Sequence, residues 1–174
     1  MLDAVQNALT GQYEAALTMF HEAVSRCPDD HWEGNVGNYP FWHVAYHAIY
    51  YTDLYLSPHL DSFQPPAFHR EYYQFFGRPV PPSNEPFVAD IPYDRETILA
   101  YVQHCRQKVS RSVEAETPES LRGPSGFWWY KIPRFEFHLN NIRHLQHHAA
   151  QMSLYLKRTS GIDIEWVGGS KTND

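Results

Sequence analysis

The chain has 174 residues, a formal net charge of −6, and 43% hydrophobic, 16% aromatic and 20% charged residues. That length fits one domain with a substantial core, and that composition excludes an intrinsically disordered chain. An acidic balance without any lysine- or arginine-rich run argues against nucleic acid or an anionic membrane surface as the main partner.

In chain order, Val5, Leu9, Tyr13, Leu17, Phe20 and Val24 recur at helical spacing and predict a first helix over residues 2–26, ended by Cys27-Pro28. Asp3, Glu14 and Glu22 interrupt any apolar block there, so the stretch reads as neither signal peptide nor membrane span. Cys27 and Cys105 stand far apart and outside any C-x-x-C pattern, which predicts no disulfide framework and a reducing, cytoplasmic setting. Residues 31–39 read as a loop by their Gly and Asn content. A second helix is predicted from Pro40 to Leu56, with Asn38 or Tyr39 at its cap and Pro40, His43, Val44, His47, Tyr51 and Leu54 on its inner stripe. Residues 57–93 hold eight prolines and little periodicity. They are too aromatic for a flexible linker. A wrapping excursion is expected, packed by Phe63, Phe68, Tyr72, Phe75, Phe76 and Phe87, with a short helical piece near residues 69–76.

Asp94 caps a third predicted helix, in which Ile98, Leu99, Val102, Cys105, Val109 and Val113 keep the helical period to about Glu116. Cys105 falls on the buried stripe and reads as a small core residue rather than a nucleophile. The run Phe127-Trp128-Trp129-Tyr130 could be a strand, a lid, a homodimer contact or a cover for the protein's own core. The last helix is predicted over Arg134–Thr159, with Gly161 as its stop and Phe135, Leu139, Ile142, Leu145, Ala149, Met152 and Leu156 as its buried stripe. Ile162, Ile164 and Trp166 suggest an extended segment on the surface, and disorder is expected at the very end. The fold class is therefore all-α, a single antiparallel four-helix bundle over residues 1–174 with a long crossover between helices two and three, which lets those two run parallel.

Beside the stripe of the last helix, His144, His148, Gln151 and Tyr155 share a second face. Histidines four residues apart project one turn above the other, so two imidazoles can meet one divalent ion if another helix adds a third. His47 is placed to do so. His21, His59 and His69 are weaker candidates, read first as boundary or loop histidines. Three neutral imidazoles leave a fourth position for water or substrate, as in a catalytic zinc site; nickel, copper or iron would also accept nitrogen ligands. No H-E-x-x-H motif and no Glu-x-x-His pair of the di-iron type is present. The competing reading is a helical interaction domain whose histidines are polar core residues.

The segments PFWHVAYHAIYYTDLYL and FHLNNIRHLQHHAAQMSLYLKR resemble the DinB/YfiT-like superfamily of metal-binding four-helix bundles. The resemblance implies one ligand from the second helix and two from the last, which fall on His47, His144 and His148. Many members have His-Arg-Gly-Gln where this chain has His148-Ala149-Ala150-Gln151, so any role of that arginine is missing. It further implies metal-dependent chemistry, either a transferase using a low-molecular-weight thiol or a hydrolase using metal-bound water. A small-molecule substrate would then be oriented by Tyr51, Gln151 and Tyr155. No carboxylate on the inner stripes offers itself as a general base, so no catalytic residue is assigned. The alternative is a non-catalytic metal- or small-ligand-binding protein of a stress response.

Overall fold

A computed structural model describes residues 1–82 and 84–169 of the protein. The chain is all-α: α1 (Leu2–Arg26), α2 (Phe41–Leu56), α3 (Arg95–Glu114), the short α4 (Pro118–Arg122) and α5 (Arg134–Ser160). Its described strands, Asn35–Val36 and Tyr39–Pro40, form one small antiparallel pair that closes the α1–α2 loop. No helix among the described residues is long and apolar enough to cross a membrane.

Inter-helix contacts fix the direction of each long helix. Between α2 and α3, Tyr46 meets Tyr101, Cys105 donates to Ile49 O and Lys108 bonds Asp53 and Ser57, so the two helices run parallel, as the long crossover predicts. Against α5, α2 runs the other way: Phe41 meets Tyr155, His47 meets His144, and Tyr55 and Ser57 meet Arg134. Gln6 bonds the end of α3 while Arg106 bonds Thr18, which makes α1 and α3 antiparallel. Tyr13 with His138 and Met19 with Gln146 make α1 and α5 parallel. The bundle therefore has two antiparallel and two parallel neighbour pairs, closed in the order α1–α3–α2–α5.

Leu9, Tyr13, Leu17, Phe20 and Val24 of α1 and Ile98, Val102, Cys105, Val109 and Val113 of α3 are buried as the periodicity predicts. Gly161 ends α5 at φ 68°, a left-handed stop that a side chain would disfavour. Asp94 caps α3 by accepting from the Thr97 amide at 2.6 Å. Five expectations need correction. α2 starts at Phe41, and Pro40 itself occupies the cap, without a side-chain cap bond. α2 is also buried nearly all round rather than along one stripe, because the crossover covers its outer face; His47 and Tyr51 are among its least buried residues. Residues 69–76 form turns instead of a helix, interrupted by Tyr72 at φ 69°. The side chains that bury the crossover are Tyr73 and Tyr93, with Phe63, Phe76 and Phe87 packed beside them, whereas Phe68 stays 36% exposed. The fifth correction is in α5, where Phe135 and Leu139 are each 40% exposed and Phe137, His138 and Asn141 face the core.

A buried polar network explains that rotation. Arg134 is 4% exposed; its Nε donates to Glu116 Oε1 at 2.9 Å, and its other nitrogens donate to the carbonyls of Tyr55, Leu56, Ser57 and Ser125. His138 Nε2 donates to the same Glu116 oxygen at 3.1 Å, and the Tyr13 hydroxyl donates to His138 Nδ1 at 3.1 Å. Asn141 Nδ2 donates to Thr52 O at 3.2 Å. Apolar periodicity pointed the wrong way because three of the residues turned inward, Arg134, His138 and Asn141, are polar and find hydrogen-bond partners in the interior. α4, its Thr117–Ser120 capping box and Pro118 at its first turn hold Glu116 in place: the Ser120 hydroxyl donates to Glu116 Oε2. Of the aromatic run, Phe127 is buried in the core and Trp128 is exposed. The tail has no regular structure, with Ile164 buried and Trp166 exposed. The disorder expected at the chain end concerns residues 170–174, which lie outside the described residues.

Removing the guanidinium would strand a buried carboxylate. Arg134→Ala should therefore lower the unfolding free energy by about 3–5 kcal/mol, read by urea denaturation at neutral pH, while Arg122→Ala on the exposed face of α4 should change it little.

Candidate metal centre

His47 on α2 and His144 and His148 on α5 face one another, each offering a ring nitrogen, and these ligand atoms all lie within 4.8 Å of one another. His47 Nε2 and His144 Nε2 are 3.2 Å apart. Two nitrogens bound at about 2.0–2.1 Å to one tetrahedral ion stand about 3.3 Å apart, so this spacing fits a shared ion without rearranging the helices. The ring centroids agree: 5.2 Å for His47 and His144, 4.9 Å for His47 and His148, and 4.7 Å for His144 and His148.

The bonds made by the outer nitrogens decide which inner nitrogens are free. His47 Nδ1 lies 2.7 Å from the Gln74 carbonyl oxygen, which can only accept, so the proton sits on Nδ1 and Nε2 keeps its lone pair. His148 Nδ1 is in the same position 2.9 Å from Gln151 Oε1. Bonds of this kind orient metal-ligating imidazoles and raise their basicity. His144 Nδ1 is buried and has no hydrogen-bond partner among the described residues, so its ring is held by packing against Tyr51 and Tyr55, at centroid distances of 5.7 and 6.4 Å.

All three rings are held neutral. Burial pushes His47 well below the ordinary 6.5, and the proximity of His148 and His144 adds to it, outweighing the bond to Gln74. Burial, with His148 and His147 nearby, brings His144 down to about 3; burial takes His148 to about 4 despite the Gln151 bond. Neutral imidazoles are the form that binds a divalent ion. A nitrogen-only donor set suits zinc, nickel or copper better than magnesium or calcium. The residues present thus fit a transition-metal ion on spacing and donor type, and two of the three rings, His47 and His148, also on tautomer.

The crossover walls the site. Phe76 stacks on His47 at 3.9 Å and 14°, meets His148 edge-on at 5.9 Å, and is itself stacked by Tyr39 at 4.2 Å. Neither the Gln74 carbonyl nor Phe76 was identifiable as part of the site. A main-chain acceptor has no residue signature, and the Phe75-Phe76-Gly77 run read only as packing.

Of the three residues expected to orient a substrate, Tyr51 does lie on the triad, 4.8 Å from the His47 ring. Gln151 contacts it from behind, through His148. Tyr155 sits two turns further along α5 and packs on His31 and Phe41 at 5.9 and 6.0 Å. Gly34 permits that contact, since a Cβ there would collide with the Tyr155 hydroxyl. Gln151 and Tyr155 also line an open groove of about 550 Å³ with Asn35, Val36 and Arg158. A larger groove of about 870 Å³ lies between α1 and the tail and includes none of the triad. The weaker candidates stand elsewhere: His21 beside Glu22, His59 capping a 3-10 turn, and His69 accepting from the Tyr46 hydroxyl at 2.6 Å.

A helical bundle with three facing histidines at mid-height has the arrangement in which four-helix proteins build metal sites in the bundle interior. A model of the DinB superfamily matches residues 12–152, and the chain belongs to that superfamily. The matched stretch runs from α1 into α5 and includes His47, His144 and His148. No curated protein and no solved structure matches the chain.

The neutral triad has a pH consequence. Between the ordinary 6.5 and the lowered values of about 4 and about 3, the unfolded chain binds protons at these histidines that the folded chain does not. Their contribution to stability is complete above pH 6.5 and is lost as pH falls through that window. Metal-free protein should therefore show a pH slope of unfolding free energy between 6.5 and 4 that is shallower in His148→Gln.

Proposed function

We propose that the protein is a metal-dependent transferase or hydrolase that acts on a small molecule together with a low-molecular-weight thiol or water. Zinc is the first choice of ion and nickel the second. The observation that carries this reading is the convergence of three neutral imidazole nitrogens, two of them with their tautomer fixed from behind, beside an aromatic mouth. A divalent ion bound there supplies Lewis acidity and makes a thiol or water that reaches it more acidic.

The chain's own residues do the rest. The Gln74 carbonyl and Gln151 hold His47 and His148 in their donating tautomer. Phe76 closes one side of His47, and Tyr51 and Tyr55 close the side of His144. Those rings shield the ligands from water, while His47 and His144 keep a partly exposed edge through which a small molecule would approach. The phenols are protonated, since burial raises Tyr51 and Tyr55 above their ordinary 10, so they donate hydrogen bonds rather than abstract protons. A non-catalytic metal binder would use the same three ligands, and the phenolic wall favours a site that receives an organic substrate.

Zinc titration of untagged, chelator-treated protein tests the reading. About one equivalent should bind, and His47→Ala, His144→Ala and His148→Ala should each abolish it. Zinc-loaded protein should then consume a thiol in the presence of an electrophile, with activity lost on chelation. A protein that takes up no zinc or nickel would contradict the proposal.

A further inference from the structure

Beyond the triad, the C-terminal half of α5 and the first strand border the open groove of about 550 Å³. One wall is Gln151, Leu154, Tyr155 and Arg158 of α5; the other is Asn35 and Val36, with Gly37 at the edge. Both walls are fixed. The strand pair sets Asn35 opposite Pro40 and Val36 opposite Tyr39, Gly37 turns the chain at φ 70°, and the Phe41 amide donates to Gly34 O at 2.9 Å. Tyr155 is wedged against His31 and Phe41. Small-molecule sites are concavities of roughly 300–1,000 Å³, mainly apolar with a few placed polar groups. Val36, the Tyr155 ring and Leu154, which is 58% exposed, supply the apolar surface here.

The charge in this groove has one sign. Lys157 is engaged by Asp163 at 2.9 Å, whereas its neighbour Arg158 is exposed and enters no ion pair or side-chain hydrogen bond among the described residues. A basic side chain also suits a helix C-terminus, yet the amides of Gly161 and Ile162 already serve that end at Leu156 O. Gln151 accepts from His148 Nδ1 at 2.9 Å through Oε1, which leaves its NH2 group without a protein acceptor. No carboxylate lines the groove among the described residues, although the chain carries a net charge of −6. The larger groove along α1 is the reverse: Glu14, Glu22, Asp163 and Glu165 line it, and its Arg26 is given to Asp163 O at 2.8 Å. The positive groove is therefore a local feature of α5, whose charged residues are Arg134, Arg143, Lys157, Arg158 and the lone acid Glu136. A planar guanidinium with a fixed positive charge matches a carboxylate.

We propose that this groove binds an elongated organic carboxylate, with its charged end on Arg158 and its apolar body along Leu154, Val36 and the Tyr155 ring. From Arg158 back to Gln151 the helix rises about 10 Å at 1.5 Å per residue, so a ligand of that length ends beside the amide that orients His148. The site goes beyond the metal reading and does not rest on it, because no metal ligand lines the groove. Arg158 and Leu154 become binding residues, and the 35–37 turn becomes part of a site rather than a closure of the α1–α2 loop alone.

Nitrogen-15-labelled, chelator-treated protein is titrated with 4-phenylbutyrate and with 4-phenylbutanamide, its uncharged counterpart, and binding is followed by backbone amide shifts in proton–nitrogen correlation spectra. Amides of residues 35–37 and 151–159 should shift with both ligands, and the acid should bind about fivefold more tightly, the upper end of what an exposed ion pair supplies. Arg158→Gln should remove most of that preference while binding of the amide stays unchanged. Leu154→Ser should weaken both ligands by a common factor. Both side chains are exposed, so both variants retain the packing of the bundle. Equal binding of acid and amide, a preference retained in Arg158→Gln, or shifts confined to other residues would overturn the groove site. Because the protein is metal-free in this titration, the two readings fail separately: a chain that binds the acid but takes up no zinc overturns only the metal reading, and zinc uptake without the preference overturns only the groove.

Discussion

The register of α5 against α2 determines whether the histidines meet, and one buried guanidinium sets it. Arg134, at the first turn of α5, donates to the carbonyls of Tyr55, Leu56 and Ser57. Helices end with carbonyls that lack partners and with partial negative charge, so a cation there satisfies both. Counting ten residues forward from Arg134 reaches His144, and counting ten back from Ser57 reaches His47. Each count covers about 15 Å at the helical rise of 1.5 Å per residue. Antiparallel helices clamped at one end therefore bring the two rings level, and His148 follows one turn on. Burying a charge this deeply costs desolvation energy, which Glu116 and the carbonyls offset through hydrogen bonds at every side of the fork.

The crossover completes what the helices begin. Two long parallel neighbours, α2 and α3, need a chain that travels the length of the bundle, and this one is anchored by aromatic groups on the way. Tyr93 stacks on Tyr46 at 4.2 Å, accepts the Arg70 amide and donates to Phe68 O, while Trp32 Nε1 donates to the Tyr93 carbonyl. Those contacts hold residues 68–78 against α2, so that the Gln74 carbonyl and Phe76 arrive at His47. On the far side of α2, Asp53 accepts from Lys108 and Tyr101 and pins α3 in place. Scaffold and site thus share their supports. The bond that orients His47 comes from main chain held by packing, and the one that orients His148 from Gln151 one turn on along the same helix.

The ligands were legible in the sequence because helical geometry converts a four-residue spacing into a shared face. His144 and His148 announce themselves by that spacing, and His47 by its place in the middle of α2. The inward face of early α5 was not legible. Phe135 and Leu139 carry the apolar signal there, yet Arg134, His138 and Asn141 are turned inward because each finds a buried partner on α2, on α1 or in the segment after α3. Hydrophobic periodicity cannot register a core built from complementary polar groups. The role of residues 74–78 was equally hidden, since a carbonyl acceptor belongs to every residue type. Tyr155 shows the opposite limit: the helical wheel places it on the ligand face, but two turns of rise carry it past the triad to the 31–36 loop.

The central claim is that one metal ion sits between the Nε2 atoms of His47, His144 and His148. Anomalous diffraction at the zinc absorption edge, from crystals of zinc-loaded protein, tests it most directly. The account predicts a single strong peak at about 2.0–2.1 Å from all three nitrogens, with Gln74 and Gln151 still bonded behind two of the rings. A peak at exposed histidines such as His147 or His104, with the triad left as three hydrogen-bonded core rings, would contradict it.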